Sequence, residues 1–359
     1  MNHSLLNPHL IKVARQARSM SQSQLAEKAG LTQAAISKFE AGLITPAEEA
    51  IVSLSEALSF PTTFFYQTDP IFGVPVSISY RKKSSQVKSR DIERIEAEMN
   101  LRLMHLRRLL SSVEYEPELS LPMLDIEEFD GNAERIAQLV RSHWRVPSGP
   151  IHNLTSLIER AGCVVFQCNF QSLGVDGLTL RPPGLPPCIF LNSAMPGDRQ
   201  RFTLAHELGH TVMHNVPNPD MEDQANTFAS ELLMPRRERH SIFHSNVDLP
   251  LLASIKPIWK VSMGFSIMAA KNAGIISPSQ SSYLWRRMSA MGYRKKEPSE
   301  VDIAPEKSSV VMDIIELHTE SLGYTYQDLY EYLKIKGNDF KSLYGISNEG
   351  KPKLKLVKN

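Results

Sequence analysis

The chain has 359 residues, with 42% apolar and 22% charged residues, which suits a globular protein of two or three domains. With a net charge of +1, the chain has no overall positive field of the kind that attracts nucleic acid or membrane surfaces. No apolar run is long enough to span a bilayer, and the N-terminus does not resemble a signal peptide. Cys163, Cys168 and Cys188, none in a C-x-x-C pair, indicate core residues in a reducing cytoplasm rather than a disulfide framework.

Helical periodicity interrupted by turn residues runs through residues 5 to 66 and predicts five short helices. Ser21, with Gln24 at the capping-box position, begins the second helix, and Thr32 begins the third. Gly30 makes the turn between these two helices. A pair of helices joined by a short glycine-containing turn, inside a small bundle, is the helix-turn-helix arrangement.

The segment from Ser21 to Gly42 resembles the helix-turn-helix of the phage repressor and Cro class, the XRE family. In that class the second helix of the pair enters the major groove of double-stranded operator DNA, and the protein binds as a homodimer. Glutamine suits adenine contacts, and lysine suits guanine or phosphate. The resemblance implies base contacts from Gln33, Ala34, Ser37 and Lys38, and phosphate contacts from Gln22 and Thr32.

Charge is unevenly placed along the first third of the chain. Residues 1–68 contain five basic and five acidic side chains, whereas residues 80–110 contain nine basic and four acidic ones, Arg81, Lys82 and Lys83 among them. The second segment is therefore either a solvated basic face or a source of the phosphate contacts that the neutral first segment lacks.

A long helix from Val87 to Leu110 is predicted by apolar residues at three- and four-residue steps. This apolar seam could pack on the chain's own domains or pair with a second copy. A short alternation from Val76 to Tyr80 predicts an isolated strand before the helix.

The next segment, residues 126–290, begins with two predicted helices and three short strands, which an apolar helix follows. That helix contains His206, Glu207 and His210 in the pattern His-Glu-x-x-His, and Asp198 is its predicted N-cap. Residues four apart share one helix face, so both imidazoles can bind one Zn²⁺. Glu207 is then placed to take a proton from the attacking water.

A catalytic zinc site normally has a third protein ligand. His214 continues the row but lies about 12 Å along the axis from the first histidine, too far to share one ion without a helix break. Glu222, with Asn226 one turn later, suits a ligand and a group that orients a ligand histidine. Asp223 and Glu231 are competing acids, and Glu222 could instead be a solvated acid favoured by the helix dipole.

The stretches Arg201 to His210 and Glu222 to Pro235 together resemble the ImmA/IrrE family of bacterial metallopeptidases. The resemblance implies a gluzincin-like domain that holds Zn²⁺, or alternatively Mn²⁺, with two histidines and a glutamate. Members are associated with cleavage of XRE-class repressors in stress responses and mobile-element control. An acid just before the Ala-Asn pair is common in the family, whereas this chain has Gln224, which leaves Glu222 as the natural ligand.

We therefore expect a mainly α protein with a small α+β domain. Its predicted parts are a five-helix helix-turn-helix bundle over 1–68, a linker and long basic helix over 69–125, a gluzincin-like domain with a small sheet over 126–290, and a helical extension over 291–359. The extension contains a predicted helical pair, 310–322 and 326–335, before a basic C-terminal tail.

The hypothesis is a DNA-binding transcriptional regulator whose zinc endopeptidase cleaves a repressor-type protein, or its own chain near residues 69–90. The alternative is an antitoxin-like or sensor regulator whose peptidase fold binds a partner, such as a toxin, without cleaving it. A third hypothesis is a protease that uses its helix-turn-helix to bind protein.

Overall fold

A computed structural model describes residues 5–73, 89–170, 174–243 and 246–346. These residues form two compact units. The first unit gathers residues 5–73, 89–114 and 312–346, and the second gathers the described residues between 115 and 311. The N-terminal bundle, the long helix and most of the C-terminal extension, which were predicted as separate segments, thus lie in one unit.

The N-terminal bundle has the predicted helix-turn-helix order. Its elements are α1 (Pro8–Ala17), α2 (Gln22–Ala29), α3 (Gln33–Glu40), α4 (Glu48–Leu58) and a 3-10 turn (Thr62–Tyr66). Ser21 and Gln24 form a capping box at α2, and the Thr32 side chain accepts a hydrogen bond from the Ala35 amide at the start of α3. Gly30 ends α2 with a φ of 66°, which glycine adopts without strain.

The long helix α5 (Ser89–Leu109) packs on this bundle through one of its faces. Ala97, Leu101 and Met104 join the core of the bundle. Met99 and Leu106, which belong to the predicted seam, are also buried within the chain. The seam therefore packs on the chain's own residues and does not present a free face to a second copy. The predicted strand at 76–80 lies outside the described residues.

The second unit places helices beside a three-stranded sheet. Its elements are α6 (Ala133–His143), α7 (Leu154–Arg160), β1 (Val164–Cys168), β2 (Gly177–Leu180), β3 (Cys188–Asn192), α8 (Gly197–Met213), α9 (Met221–Leu233), α10 (Arg236–Ile242), α11 (Leu249–Trp259), α12 (Met263–Asn272) and α13 (Pro278–Ala290). The strand order is β1-β3-β2, with β1 parallel and β2 antiparallel to β3. The predicted strands are confirmed, and the three cysteines are buried thiols.

Two glycines let the elements around α8 approach closely. A Cβ on Gly177 of β2 would lie 2.7 Å from Cγ2 of Thr203 and 3.1 Å from Cγ of Glu207, both on α8. A Cβ on Gly209 of α8 would lie 3.0 Å from the Phe228 ring of α9. Because neither glycine has a Cβ, β2 and α9 can pack directly against α8.

The predicted N-cap of α8 is wrong. Pro196 holds the cap position without a side-chain hydrogen bond, and Asp198 lies inside the first turn of the helix. The buried Asp198 carboxylate instead accepts a hydrogen bond from Nζ of Lys256 at 2.6 Å, and Lys256 also donates to Glu297. Asp198 therefore forms a buried ion pair with Lys256 of α11, and a local capping pattern does not reveal such a distant partner.

The C-terminal residues form α14 (Val310–Glu320), α15 (Tyr326–Tyr332) and α16 (Gly337–Tyr344). The sequence predicted the first two helices and missed the third. Asp339 of α16 accepts two hydrogen bonds from the Arg18 guanidinium, at 2.8 and 2.6 Å, and the Tyr344 hydroxyl lies 2.8 Å from Nδ1 of His105 on α5. The extension therefore contacts both the bundle and the long helix within the first unit.

None of the described helices combines the length and the apolar character that crossing a membrane requires.

Candidate metal centre and nucleic-acid interface

The two histidines of the His-Glu-x-x-His pattern lie on one face of α8 and are both buried. Their Nε2 atoms are 3.0 Å apart. Helix α9 brings Glu222 against them, with Oε2 at 3.5 Å from Nε2 of His206 and Oε1 at 3.4 Å from Nε2 of His210. Among the described residues, these three side chains form a cluster whose donor atoms could hold one metal ion.

The spacing of these donor atoms matches a zinc site. Tetrahedral ligands bound at about 2.0–2.1 Å are about 3.3–3.4 Å from one another. The two Nε2 atoms are 3.0 Å apart, and each lies 3.4 or 3.5 Å from a different oxygen of the Glu222 carboxylate, close to that value. Two imidazoles and one carboxylate are also a donor set that zinc takes in catalytic sites. The residues present therefore fit the ion that the sequence predicted.

The outer nitrogen of His206 has a partner that supports this arrangement. Its Nδ1 lies 3.0 Å from Oδ1 of Asn226, one turn after Glu222 on α9. Because a carbonyl oxygen only accepts, Nδ1 carries the hydrogen and Nε2 presents its lone pair toward the cluster. The structure thus places Asn226 where the sequence predicted a group that orients a ligand histidine.

Glu207 is almost fully buried beside the first histidine, and two threonines contact it, one at its carboxylate and one at its backbone. The Thr179 hydroxyl of β2 donates to Oε2 of Glu207 at 2.9 Å. The Thr211 hydroxyl donates to the Glu207 backbone carbonyl at 2.8 Å. Sequence reasoning missed Thr179, because the pairing of β2 with α8 joins residues far apart in the chain.

His214 is the C-cap residue of α8, and its imidazole contacts the second histidine of the pattern. Its Nδ1 lies 3.0 Å from Nδ1 of His210, and its Nε2 lies 2.9 Å from Oε1 of Gln224 on α9. Burial lowers the pKa of His214 to about 4, against the opposing effect of the Gln224 hydrogen bond. His214 is therefore neutral near pH 7 and lies beside the cluster rather than in it.

The competing acids lie elsewhere. Asp223 is exposed on α9. Glu231 is buried, and its carboxylate accepts hydrogen bonds from the Gln138 side chain at 2.9 Å and from the Arg236 amide at 2.8 Å. The Glu231 carboxylate therefore contacts the first residue of α10 and joins α9 to α6. Glu222 is the acid of α9 that faces the histidines.

The candidate nucleic-acid surface is the outer face of α3. Gln33, Ala34 and Lys38 are exposed, as is Thr32 before the helix, and Ser37 is half-buried. These are the side chains that the XRE resemblance assigned to DNA, and the structure places them together.

A series of hydrogen bonds connects Gln33, at the start of α3, to a buried ion pair. Nε2 of Gln33 donates to Oε1 of Gln22 at 2.8 Å, and Nε2 of Gln22 donates to Glu40 at 2.9 Å. Glu40 also forms a buried, two-bond ion pair with Arg15 of α1, at 2.5 and 2.9 Å. The orientation of Gln33 is thus linked through Gln22 to the ion pair that joins α1 and α3.

Several cations of the basic segment are already paired. Arg102 pairs with Glu98 at 2.9 Å, and Arg108 pairs with Asp69 at 2.6 Å, with Arg107 at 4.0 Å from the same acid. The Arg102 pair lies within α5, whereas Arg107 and Arg108 join α5 to Asp69 in the segment that follows the bundle. Arg81, Lys82 and Lys83 lie outside the described residues, so their predicted phosphate contacts stay a prediction.

Comparison with known families agrees with this arrangement. Residues 11–65 match the helix-turn-helix family model, and residues 158–269 match the family described as the IrrE N-terminal-like domain. The chain is therefore a fusion of an XRE-type helix-turn-helix domain with an IrrE-like domain of a peptidase family. No curated protein matches the chain. The two domains together support a DNA-binding regulator that carries a peptidase-family domain.

Proposed function

We propose that the chain is a DNA-binding transcriptional regulator with a zinc-dependent endopeptidase in its second unit. Its substrate is a repressor-type protein or the chain itself. The observation that carries the proposal is the convergence of three donor atoms from His206, His210 and Glu222, next to the buried carboxylate of Glu207. Two buried histidines and the buried carboxylate of Glu207, with the partly exposed Glu222 against them, are costly unless the groups are paired or bound to a metal.

In this proposal His206, His210 and Glu222 hold Zn²⁺, or Mn²⁺ as the alternative. When bound, the ion polarises the substrate carbonyl and lowers the pKa of water. Glu207 accepts a proton from the attacking water at its carboxylate and returns it to the leaving amine. Thr179 fixes the orientation of that carboxylate through its hydrogen bond to Oε2.

The first unit supplies the DNA-binding function. The exposed residues of α3 read base edges in the major groove, and Gln22 and Thr32 approach the backbone, as in other helix-turn-helix proteins. Such proteins bind two half-sites about one helical turn apart as a dimer, so a homodimer on an inverted repeat is expected.

The test compares cells that produce the wild-type chain with cells that produce Glu207→Gln, before and after DNA damage. New protein N-termini are identified by mass spectrometry. Because the amide cannot accept the proton, the proposal expects N-termini in the chain or in a repressor-type protein that appear only with wild type. Asp223→Asn, an exposed neighbour on α9, is the control that should behave as wild type.

Identical N-termini in wild type and Glu207→Gln would contradict the endopeptidase. That result would favour the antitoxin-like or sensor regulator, whose peptidase fold binds a partner without cleaving it.

A further inference from the structure

The side chain of His214 extends the metal cluster outward in a continuous hydrogen-bond chain. The first hydrogen bond joins Nδ1 of His210 to Nδ1 of His214 at 3.0 Å, and the second joins Nε2 of His214 to Oε1 of Gln224 at 2.9 Å. Nδ2 of Asn218 donates to the same Gln224 oxygen at 3.2 Å. The amide oxygen of Gln224 therefore faces both groups as an acceptor.

The positions of the ring hydrogens give this chain one direction. A neutral imidazole has one N–H and one lone pair. Since the Gln224 oxygen accepts, Nε2 of His214 carries the hydrogen and Nδ1 of His214 is the lone-pair acceptor. Nδ1 of His210 must then carry a hydrogen, and Nε2 of His210 is left with its lone pair.

This tautomer of His210 directs its lone pair into the candidate metal site. With its hydrogen on Nδ1, His210 directs a lone pair from Nε2 toward Nε2 of His206 and toward Glu222. His206 has the same tautomer because Asn226 accepts from its Nδ1. Two lone pairs 3.0 Å apart repel each other unless a cation lies between them, so the two tautomers together prepare the site for a metal ion.

We propose that His214 and Gln224 are positioning residues that hold His210 in the Nδ1–H tautomer and so raise the affinity of the site for zinc. The inference rests on the proposed zinc site, but its chemistry lies outside the ligand set. Partners of ligand histidines commonly change metal affinity by 10–100-fold when removed. The same size of effect is expected here.

A purely structural role makes a different prediction. His214 ends α8, and a large ring there could serve only to fill space beside the helix end. His214→Phe keeps a ring of similar size and removes the acceptor. His214→Asn is smaller but keeps an oxygen near the position of Nδ1, so it can still accept from His210. Only the hydrogen-bond role predicts that Asn is the better replacement.

The first measurement is the zinc dissociation constant of the full-length chain, obtained by competition with a chromophoric chelator. We expect His214→Phe to weaken zinc binding by about 10–100-fold and His214→Asn to recover most of that affinity. Gln224→Met should weaken binding and Gln224→Glu should not, because Glu keeps the acceptor. Asp223→Asn is the control, and circular dichroism verifies that each variant is folded.

The second measurement needs no metal. In chelator-treated protein labelled with ¹⁵N-histidine, long-range proton–nitrogen spectra report which ring nitrogen carries the hydrogen. We expect Nδ1–H for His210 and Nε2–H for His214, with loss of the His210 preference in His214→Phe.

Equal zinc affinity in wild type and His214→Phe, or equal weakening by Phe and Asn, would overturn the positioning role. So would an Nε2–H tautomer for His210 in the metal-free chain. If the wild type binds no zinc at all, the proposed metal site fails, and the tautomer spectra still decide whether the hydrogen-bond chain exists.

Discussion

The ion pair between Arg15 and Glu40 offers a sharp test of how the DNA-binding unit is held together. Both side chains are less than a tenth exposed, and the pair joins α1 to α3 through two hydrogen bonds. Removing one partner of a buried pair leaves an uncompensated charge, which destabilises by about 3–5 kcal/mol. Replacing both partners by apolar residues of similar volume is often close to neutral.

We therefore expect Glu40→Met alone to lower the stability of the first unit by about 3–5 kcal/mol, or on the order of 10–20 °C in its melting temperature. The double variant Arg15→Met, Glu40→Met should recover most of this stability. Differential scanning calorimetry of the full chain can follow the transition of the first unit, and Glu27→Met, at an exposed position of α2, is the control within about 0.5 kcal/mol.

The single variant Arg15→Met completes the cycle. If the stability losses of Arg15→Met and Glu40→Met simply add in the double variant, this reasoning is refuted, because contacting charges must show a coupling energy. A DNA measurement extends the test. Glu40→Met also removes the acceptor that holds Gln22, which in turn holds Gln33, so operator affinity should fall even at temperatures where the variant is folded.

Three further predictions concern DNA binding and the stability of the first unit. Replacing Gln33 or Ser37 by Ala should change base preference at one operator position by about 1–3 kcal/mol, measured by binding to a set of single-base operator variants, and an unchanged preference would remove them from base readout. Neutralising Arg81, Lys82 and Lys83 with glutamine should flatten the log–log salt dependence of operator affinity by about 0.9 for each phosphate that these cations neutralise, and an unchanged slope would make that segment a spacer. Asp339→Asn, which weakens a partly exposed pair with Arg18, should destabilise the first unit by about 1 kcal/mol or less in urea unfolding, and a decrease several times larger would indicate that the extension folds together with the bundle.

Local sequence patterns predicted the helix caps and the shared helix face of the two histidines, because these features depend only on residues a few positions apart. Ser21 and Thr32 cap helices as expected, since a cap is a bond between residues three apart. The helical spacing of His206 and His210 likewise placed both on one face of α8.

Features that depend on distant residues were not predictable in the same way. Asp198 looked like a cap and is a partner of Lys256, which is 58 residues away in the chain. Asp339 contacts Arg18 across 321 residues, so no local pattern reveals that the extension returns to the bundle. Thr179 belongs to the same class, because the path of β2 against α8 decides which side chain meets the Glu207 carboxylate.

The central claim is that His206, His210 and Glu222 hold one catalytic zinc ion, and metal content tests it most directly. Full-length chain is loaded with zinc, freed of excess ion and analysed by elemental mass spectrometry. We predict about one zinc per chain in the wild type and in Glu207→Gln, and almost none in the double variant His206→Ala, His210→Ala. Equal zinc in the wild type and the double variant would contradict the claim.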